Sequence, residues 1–294
     1  VGSEMGIRDR LSQKKPKQGV IIIRLIDFHT HAFPDGLAEK AITRLLADVV
    51  KADMGFDENF YSDGTVKGLS ENMSACGVDM SVLLPVATKP TQVEGTNRWA
   101  EEAAKETGNI IPFGAVYPDE SVFAVLERLA EQGRKGIKLH GDFQNFYADE
   151  ERMIPIYRRC GELGLIVVMH SGIDCSSPCD IHTDAQMMAR VLDKVSGVKF
   201  VVAHMGGVRC EDEAARLLAG AENVWFDTAY TAGRISPEHM TELVRTYGAD
   251  KVLFASDSPW NDPKDVHMLI ESTSLTAEEK KMIYYFNAER LLGL

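Results

Sequence analysis

Apolar and polar positions along this chain alternate between two signatures. Short, β-branched runs bounded by glycine or proline read as buried strands, and longer stretches with apolar residues every three or four positions read as amphipathic helices. The first run, Val20 to Ile26, leads into Asp27-Phe28-His29-Thr30-His31. Seven further strands are predicted at 78–86, 110–116, 136–140, 165–170, 198–204, 224–227 and 252–257. Helices are predicted at 37–51, 66–76, 97–107, 121–132, 149–163, 184–195, 210–219 and 238–247, and two more, at 264–271 and 277–292, close the chain. Gly77 and Gly108 stand where a helix C-terminus favours a residue without a side chain.

Strands that alternate with helices run parallel and are buried on both faces, which accounts for their near-continuous apolar character. Eight such units in 294 residues favour α/β architecture of one kind, a single (β/α)8 TIM barrel, distorted and with an extra C-terminal helix. An open doubly wound sheet would need its edges covered, and no glycine-rich phosphate loop follows the first strand. Residues 20–294 form one barrel domain in this reading. Residues 1–19 are polar, carry Lys14-Lys15-Pro16-Lys17, and read as a flexible N-terminal segment or a cloning remnant.

Composition narrows the partners. With 32 basic against 44 acidic residues and a net charge of −12, the surface suits neither nucleic acid nor an anionic membrane. No apolar run approaches the roughly 20 residues of a membrane helix. Five cysteines without regular spacing suit a reducing compartment, so the cytoplasm is the expected location. The expected partner is a small-molecule substrate, and this reading leaves room for a homodimer.

The chemistry gathers at strand ends. Alternation along the first strand predicts Asp27, His29 and His31 on one face, with Phe28 and Thr30 on the other. Roughly 0.2 His-x-His pairs arise by chance at this histidine content, so the pair alone says little. However, five of the eight histidines (His29, His31, His140, His170 and His204) end predicted strands, and Asp257 ends the eighth. One such histidine is more often a hydrogen-bonded structural residue than a ligand. Several neutral imidazoles and a carboxylate around one barrel mouth are costly to bury without a partner, and a divalent cation supplies it. Lys138 and His140 share the inward face. Lys138 pairs either with a buried carboxylate such as Asp27 or Asp227 or with a metal or substrate. Asp27, two residues deeper than His29, reads as a partner orienting a ligand or Lys138.

Cys175 and Cys179 with His182 offer only three of the four ligands of a structural zinc site, so no second thiolate site is expected. His182, His239 and His267 fall in loop or helix contexts and are expected to be solvated. Arg209, Tyr230, Trp260, Lys89 and Gln144 follow strands and could line the pocket.

These motifs resemble the amidohydrolase superfamily, in its amidohydrolase-related (amidohydrolase 2) branch of metal-dependent barrels. The matching stretches are Asp27 to His31, Gly136 to His140, Met169 to Gly172, Ala203 to Gly207, Ala255 to Trp260, Pro178 to His182 and Asn287 to Leu294. The resemblance implies that His29, His31, His170 and Asp257 hold one metal, zinc in the first instance. It gives His204 an acid/base or substrate-polarising role, with Asp257 as the second catalytic residue. In binuclear members the lysine at the fourth strand is carboxylated and bridges two metals, so a second ion at Lys138 and His140 is the reserve. Arg209, Tyr230 and Trp260 are the implied pocket.

The resulting expectation is a metal-dependent hydrolase that uses activated water on a small carbonyl-containing substrate. The alternative is a non-oxidative decarboxylase of a small unsaturated or aromatic acid, with Arg209, Arg234 or Lys89 as its cationic clamp. A metal-stabilised binding protein without turnover is the third reading.

Overall fold

A computed structural model describes residues 24–55, 59–177 and 180–294. The predicted segment 1–19, the start of the first strand at 20–23, and Cys179 lie outside the described residues. Strands β1 (Ile26–Thr30), β2 (Met80–Leu83), β3 (Ile110–Pro112), β4 (Gly114–Ala115), β5 (Gly136–Leu139), β6 (Ile166–Met169), β7 (Phe200–Val202), β8 (Val224–Asp227) and β9 (Val252–Leu253) follow one another in space as in sequence. All pairings are parallel. The predicted third strand is divided at Phe113, next to Pro112, which has no N–H to give to a ladder. β3 pairs with β2 and β4 pairs with β5, and the Phe113 N–H donates to Leu83 O at 2.9 Å across the break. The ring closes where Phe28 N–H donates to Phe254 O and Asp257 N–H donates to His29 O, both at 2.8 Å.

Two apolar layers follow from strand alternation. Ile26, Phe28, Val82, Leu84, Phe113, Ile166, Val168, Val201, Trp225, Leu253 and Ala255 form the barrel interior. Neighbouring positions such as Leu83, Ile137, Leu139, Val167, Met169, Phe200 and Phe226 pack against the helices. The helices are α1 (Asp35–Ala52), α2 (Val66–Cys76), α3 (Val93–Thr107), α4 (Val122–Glu131), α5 (Gly141–Gln144), α6 (Met153–Glu162), α7 (Ala185–Lys194), α8 (Glu211–Leu218), α9 (Pro237–Tyr247), α10 (Pro263–Glu271), α11 (Ala277–Lys281) and α12 (Asn287–Leu292). A π-turn at Met282–Phe286 joins α11 to α12, so the predicted closing helix is one rod with a local widening. Ala288, Leu291 and Leu292 of α12 pack into the interior cluster.

Local chemistry sets the ends. Asp184 and Ser236 accept from the third N–H of α7 and α9, and Gly77 and Gly108 take left-handed φ at the ends of α2 and α3. Three helices differ from expectation, the first being α3, which starts at Val93 rather than 97. α6 starts at Met153 rather than 149, after a turn in which Tyr147 N–H donates to the Glu150 carboxylate. The four-residue α5 was not predicted, being too short to show a period. Among the described residues no helix is long and apolar enough to cross a membrane.

Gly136 marks where interior space is exhausted. A Cβ there would lie 2.4 Å from both Ile166 O and the Phe113 ring. Gly136→Ala should therefore destabilise the fold by about 2–4 kcal/mol. Gly95→Ala, on an open face of α3 with nothing within 4 Å, should be neutral or stabilise by up to about 1 kcal/mol. Urea denaturation of the two variants checks the contrast, and equal midpoints would refute it.

Candidate metal centre

The end of β1 brings two imidazoles together, although not by simple alternation. The pairing of β1 with β2 shifts register between Asp27 and Thr30. As a result Phe28 belongs to the interior cluster, and Asp27 instead accepts from Ser256 N–H at 2.9 Å, from Ser256 Oγ–H at 2.5 Å, and from His29 N–H at 3.2 Å. The expected shared face of Asp27, His29 and His31 is thus corrected: a local bulge places consecutive residues on one side. Asp27 steadies the backbone of His29 and of Ser256, and the carboxylates acting on Lys138 are Asp227, Asp257 and Asp174.

His29 Nε2 and His31 Nε2 lie 3.2 Å apart, and each is 3.3 Å from Asp257 Oδ1. The ring planes are inclined at 67°, so their lone-pair directions can meet at one point. The other nitrogens show which form each ring takes. His31 Nδ1 is 2.8 Å from Leu84 O, and His29 Nδ1 is 2.8 Å from Asp227 Oδ2. A carbonyl oxygen only accepts, as does an ionised carboxylate, so both Nδ1 atoms carry a proton, and the neutral form of either ring leaves its Nε2 as an acceptor. Burial first, and then the Lys138 ammonium, push the His29 imidazole well below its ordinary value. With both rings neutral, two imidazole nitrogens and a carboxylate oxygen converge as ligand atoms. Such a donor set suits a cation. Lys138, itself fully buried, brings Nζ to 3.1 Å from His29 Nε2, and burial lowers its ammonium to about 8. It serves one of the three acceptors.

His170 is set by a relay. His204 Nδ1 faces Ala229 O at 3.1 Å, which leaves His204 Nε2 as an acceptor, and His170 Nδ1 lies 3.1 Å from it. His170 must then donate from Nδ1, and its Nε2 is a bare, buried nitrogen without a partner. His29, His31 and Asp257 come within 4.8 Å of one another as a trio. His170 stands outside that trio, turned toward His204 and stacked on His140 at 4.0 Å and 10°. His140, Asp142 and His170 also bring ligand atoms within 4.8 Å. Stacked rings have parallel planes, and in-plane lone pairs of parallel rings do not meet at one ion. Of the two groups, only the first has the geometry for a metal.

The remaining candidates are spread around the mouth. Trp260 stacks edge-on against Phe60 at 4.5 Å, lies 6.5 Å from the His31 ring, and packs with Val49, Cys175, Val208 and Tyr230. Tyr230 lies 6.4 Å from the His204 ring and carries the Arg234 guanidinium over its face at 3.4 Å. Arg209 donates to Met54 O at 2.9 Å, at the rim. Lys89 is exposed before a short turn at Pro90–Gln92. Gln144 is structural: it accepts from His140 N–H and donates to Ala87 O and Val116 O, tying three strand ends together. His182 is not simply solvated, since it bonds Asp142 at 3.1 Å and stacks on Tyr147 at 4.7 Å. Asp142, in the short α5, and Asp174, in a loop, carry no periodic signal and were not expected from the sequence, although each lies close behind a strand-end histidine.

Backbone strain collects here too. His204, Met205, Arg209, Tyr230 and Asp257 all have φ between 52° and 70°, which costs non-glycine residues about 1–3 kcal/mol each and persists only where surrounding bonds enforce it. Asp227 supplies some of that enforcement, accepting from His204 N–H at 2.8 Å and Ala229 N–H at 3.2 Å through Oδ1.

The amidohydrolase family model matches residues 26–294. A solved TIM-barrel protein of uncharacterised function from Bordetella bronchiseptica superposes with a TM-score of 0.74 at 19% identity, covering 92% of this chain and 98% of that one. A 5-carboxyvanillate decarboxylase from Sphingomonas paucimobilis gives 0.67 at 17%, covering 92% and 99%. The corresponding decarboxylase from Novosphingobium aromaticivorans, solved with manganese and a nitrobenzoic acid, gives 0.68 at 18%, covering 92% and 96%. These likenesses establish the barrel. Among curated proteins, a phosphoribosyl imidazole-carboxamide isomerase from Colwellia psychrerythraea is 35% identical over 79 residues, 25% of this chain and 29% of that protein. The chain thus covers less than a third of that relative's length.

If Lys138 acts as an ammonium competing for His29 Nε2, Lys138→Met should bind one equivalent of Zn2+ at least as tightly as the unaltered protein. Competition with a chromogenic chelator reads this directly. A drop in bound metal would instead make Lys138 a ligand.

Proposed function

Because the chain belongs to the amidohydrolase family, we propose that it is a metal-dependent hydrolase acting on a small carbonyl-containing substrate at the mouth of its barrel. The observation that carries this reading is the convergence of bare His29 Nε2, bare His31 Nε2 and Asp257 Oδ1 within 3.3 Å of one another. Those residues would hold the ion; His170, which stands outside the trio in this structure, would be a further ligand once a bound ion drew the group together. Zinc suits neutral imidazoles with one carboxylate, and the manganese in the Novosphingobium relative makes that metal the other one to test. A divalent metal in such a site supplies Lewis acidity toward a carbonyl oxygen and toward water.

The protein's own groups divide the remaining work. Asp257 has a carboxylate at the metal position that can accept a proton. His204 is neutral at physiological pH, because burial pushes its imidazole below its ordinary value. Its Nδ1–H is anchored on Ala229 O and its Nε2 accepts from His170 Nδ1–H, so Nε2 can take up a proton from a substrate only when that contact opens. Trp260, Tyr230, Val208 and Val49 give the mouth an apolar wall that limits water around the reacting group.

Decarboxylation is the second reading. It is favoured by the decarboxylases among the structural relatives and by the Arg234 guanidinium lying on Tyr230 beside the mouth, a suitable contact for a retained anionic group. Turnover in 18O-labelled water of a panel of lactones, esters, amides and aromatic acids distinguishes them. Hydrolysis places one labelled oxygen in the product and releases no CO2. Release of CO2 without label would overturn it in favour of decarboxylation. In either case His170→Ala should lower bound metal and reduce turnover by at least about 10²-fold. Full activity of that variant in chelator-treated buffer would refute the site.

A further inference from the structure

Beside the metal position lies a group of buried side chains that the reaction does not use. His140 stacks on His170 through one face, at 4.0 Å and 10°, and on Phe143 through the other, at 4.0 Å and 14°. Its Nε2 lies 3.2 Å from Asp174 Oδ2. Asp174 in turn is fixed from its own loop, with Oδ1 accepting from Ser176 N–H at 2.8 Å and Ser176 Oγ–H at 2.6 Å. The loop is brought there by Gly172, whose φ of +81° and close approach to Val208 leave no space for a side chain. Ile173 N–H donates to Val208 O at 3.1 Å and so holds the next residue in place.

We propose that Asp174 and His140 are a positioning pair for His170, with Asp174 orienting the His140 ring and His140 fixing the plane of the His170 ring so that its bare Nε2 keeps one direction.

An imidazole held at the end of a strand has two torsions to fix. The Nδ1 contact to His204 Nε2 at 3.1 Å restrains the ring within its plane, but rotation of the plane about that contact remains. Face contact with His140 removes it. His140 itself has a competing partner: its Nδ1 is 3.7 Å from Asp142 Oδ2, and both atoms are buried and unpaired. The choice between Asp174 and Asp142 therefore decides the angle of the stack. Asp174 is suited to win. Its Oδ2 lies 3.2 Å from the His140 ring against 3.7 Å for Asp142, and its other oxygen is already fixed by Ser176. Asp142 is engaged by His182 through its other oxygen, at 3.1 Å.

The affinity part of this inference rests on the metal-centre reading, and the ring-orientation part does not. The test uses the full chain labelled with 15N in its histidines. In the metal-free protein, His170 should show the Nδ1-protonated pattern, and Asp174→Asn should shift or average the ring-nitrogen signals of both His140 and His170 while far-UV circular dichroism stays unchanged. With Zn2+ as the probe, Asp174→Asn should bind about 10–100-fold more weakly. In a His140→Phe background, which keeps a stacked ring but cannot bond Asp174, the same change should have a clearly smaller effect, the remainder coming from the 3.9 Å approach of Asp174 Oδ2 to His170 Nε2. Unaltered His170 signals in Asp174→Asn would overturn the proposal, as would an equal loss of affinity in the His140→Phe background. If Asp174→Asn does not fold, Ser176→Ala removes one donor from the same carboxylate and should move the same signals to a smaller extent, and no movement there overturns it equally. An unaltered protein that binds no stoichiometric Zn2+ overturns the metal-centre reading alone, and the ring-nitrogen signals still decide the positioning claim.

Discussion

The site depends on which nitrogen of each imidazole carries the proton. Leu84 O, Asp227 Oδ2 and Ala229 O are acceptors held in place by the barrel, and each engages an Nδ1. His31 and His29 are left with bare Nε2 atoms directly, and His170 is left with one through His204. Asp227 does more than this. Its second oxygen accepts two backbone N–H groups where the chain leaves β7 and β8, so one buried carboxylate joins the first strand to the sixth and seventh units of the barrel. Outer partners of this kind tune ligand basicity and orientation as strongly as the ligands determine the ion.

Holding these groups requires a backbone that ordinary strands do not adopt. β7 is followed by His204 and Met205 with left-handed φ, and then by Gly206 and Gly207. A Cβ on Gly206 would lie 2.3 Å from Ala214 and 2.9 Å from Tyr247 Oη, and Tyr247 Oη donates to Met205 O at 2.8 Å. The two glycines thus let the chain turn sharply under α8 and present His204 inward. Similarly, Asp257 has a φ of 70°, and its N–H donates to His29 O across the closing seam. The hydrogen bonds that close the barrel also place Asp257 beside His29.

Much of this could be read along the chain. The strand and helix alternation is visible because buried parallel strands are uniformly apolar and helices repeat at 3.6 residues. Histidines at strand ends point to the barrel mouth because that is where side chains from different strands meet. Signals weaken where the period is lost. The four-residue α5, the break at Phe113 and the bulge between Asp27 and Thr30 each involve too few residues to show a repeat. The bulge had the largest consequence, since it removed Asp27 from the face it was assigned to.

By itself, the sequence determined the barrel, the order of its units and the set of polar residues at the ends of its strands, because these follow from periodicity and from residue type. It could not determine which of those residues face one another, because that depends on closure of the ring and on contacts between segments more than a hundred residues apart, such as His29 with Lys138, Asp227 and Asp257. Nor could it separate His140 from a ligand role. Only the parallel stacking of its ring on His170 excludes a shared ion, and ring-to-ring angle is a property of the folded packing alone.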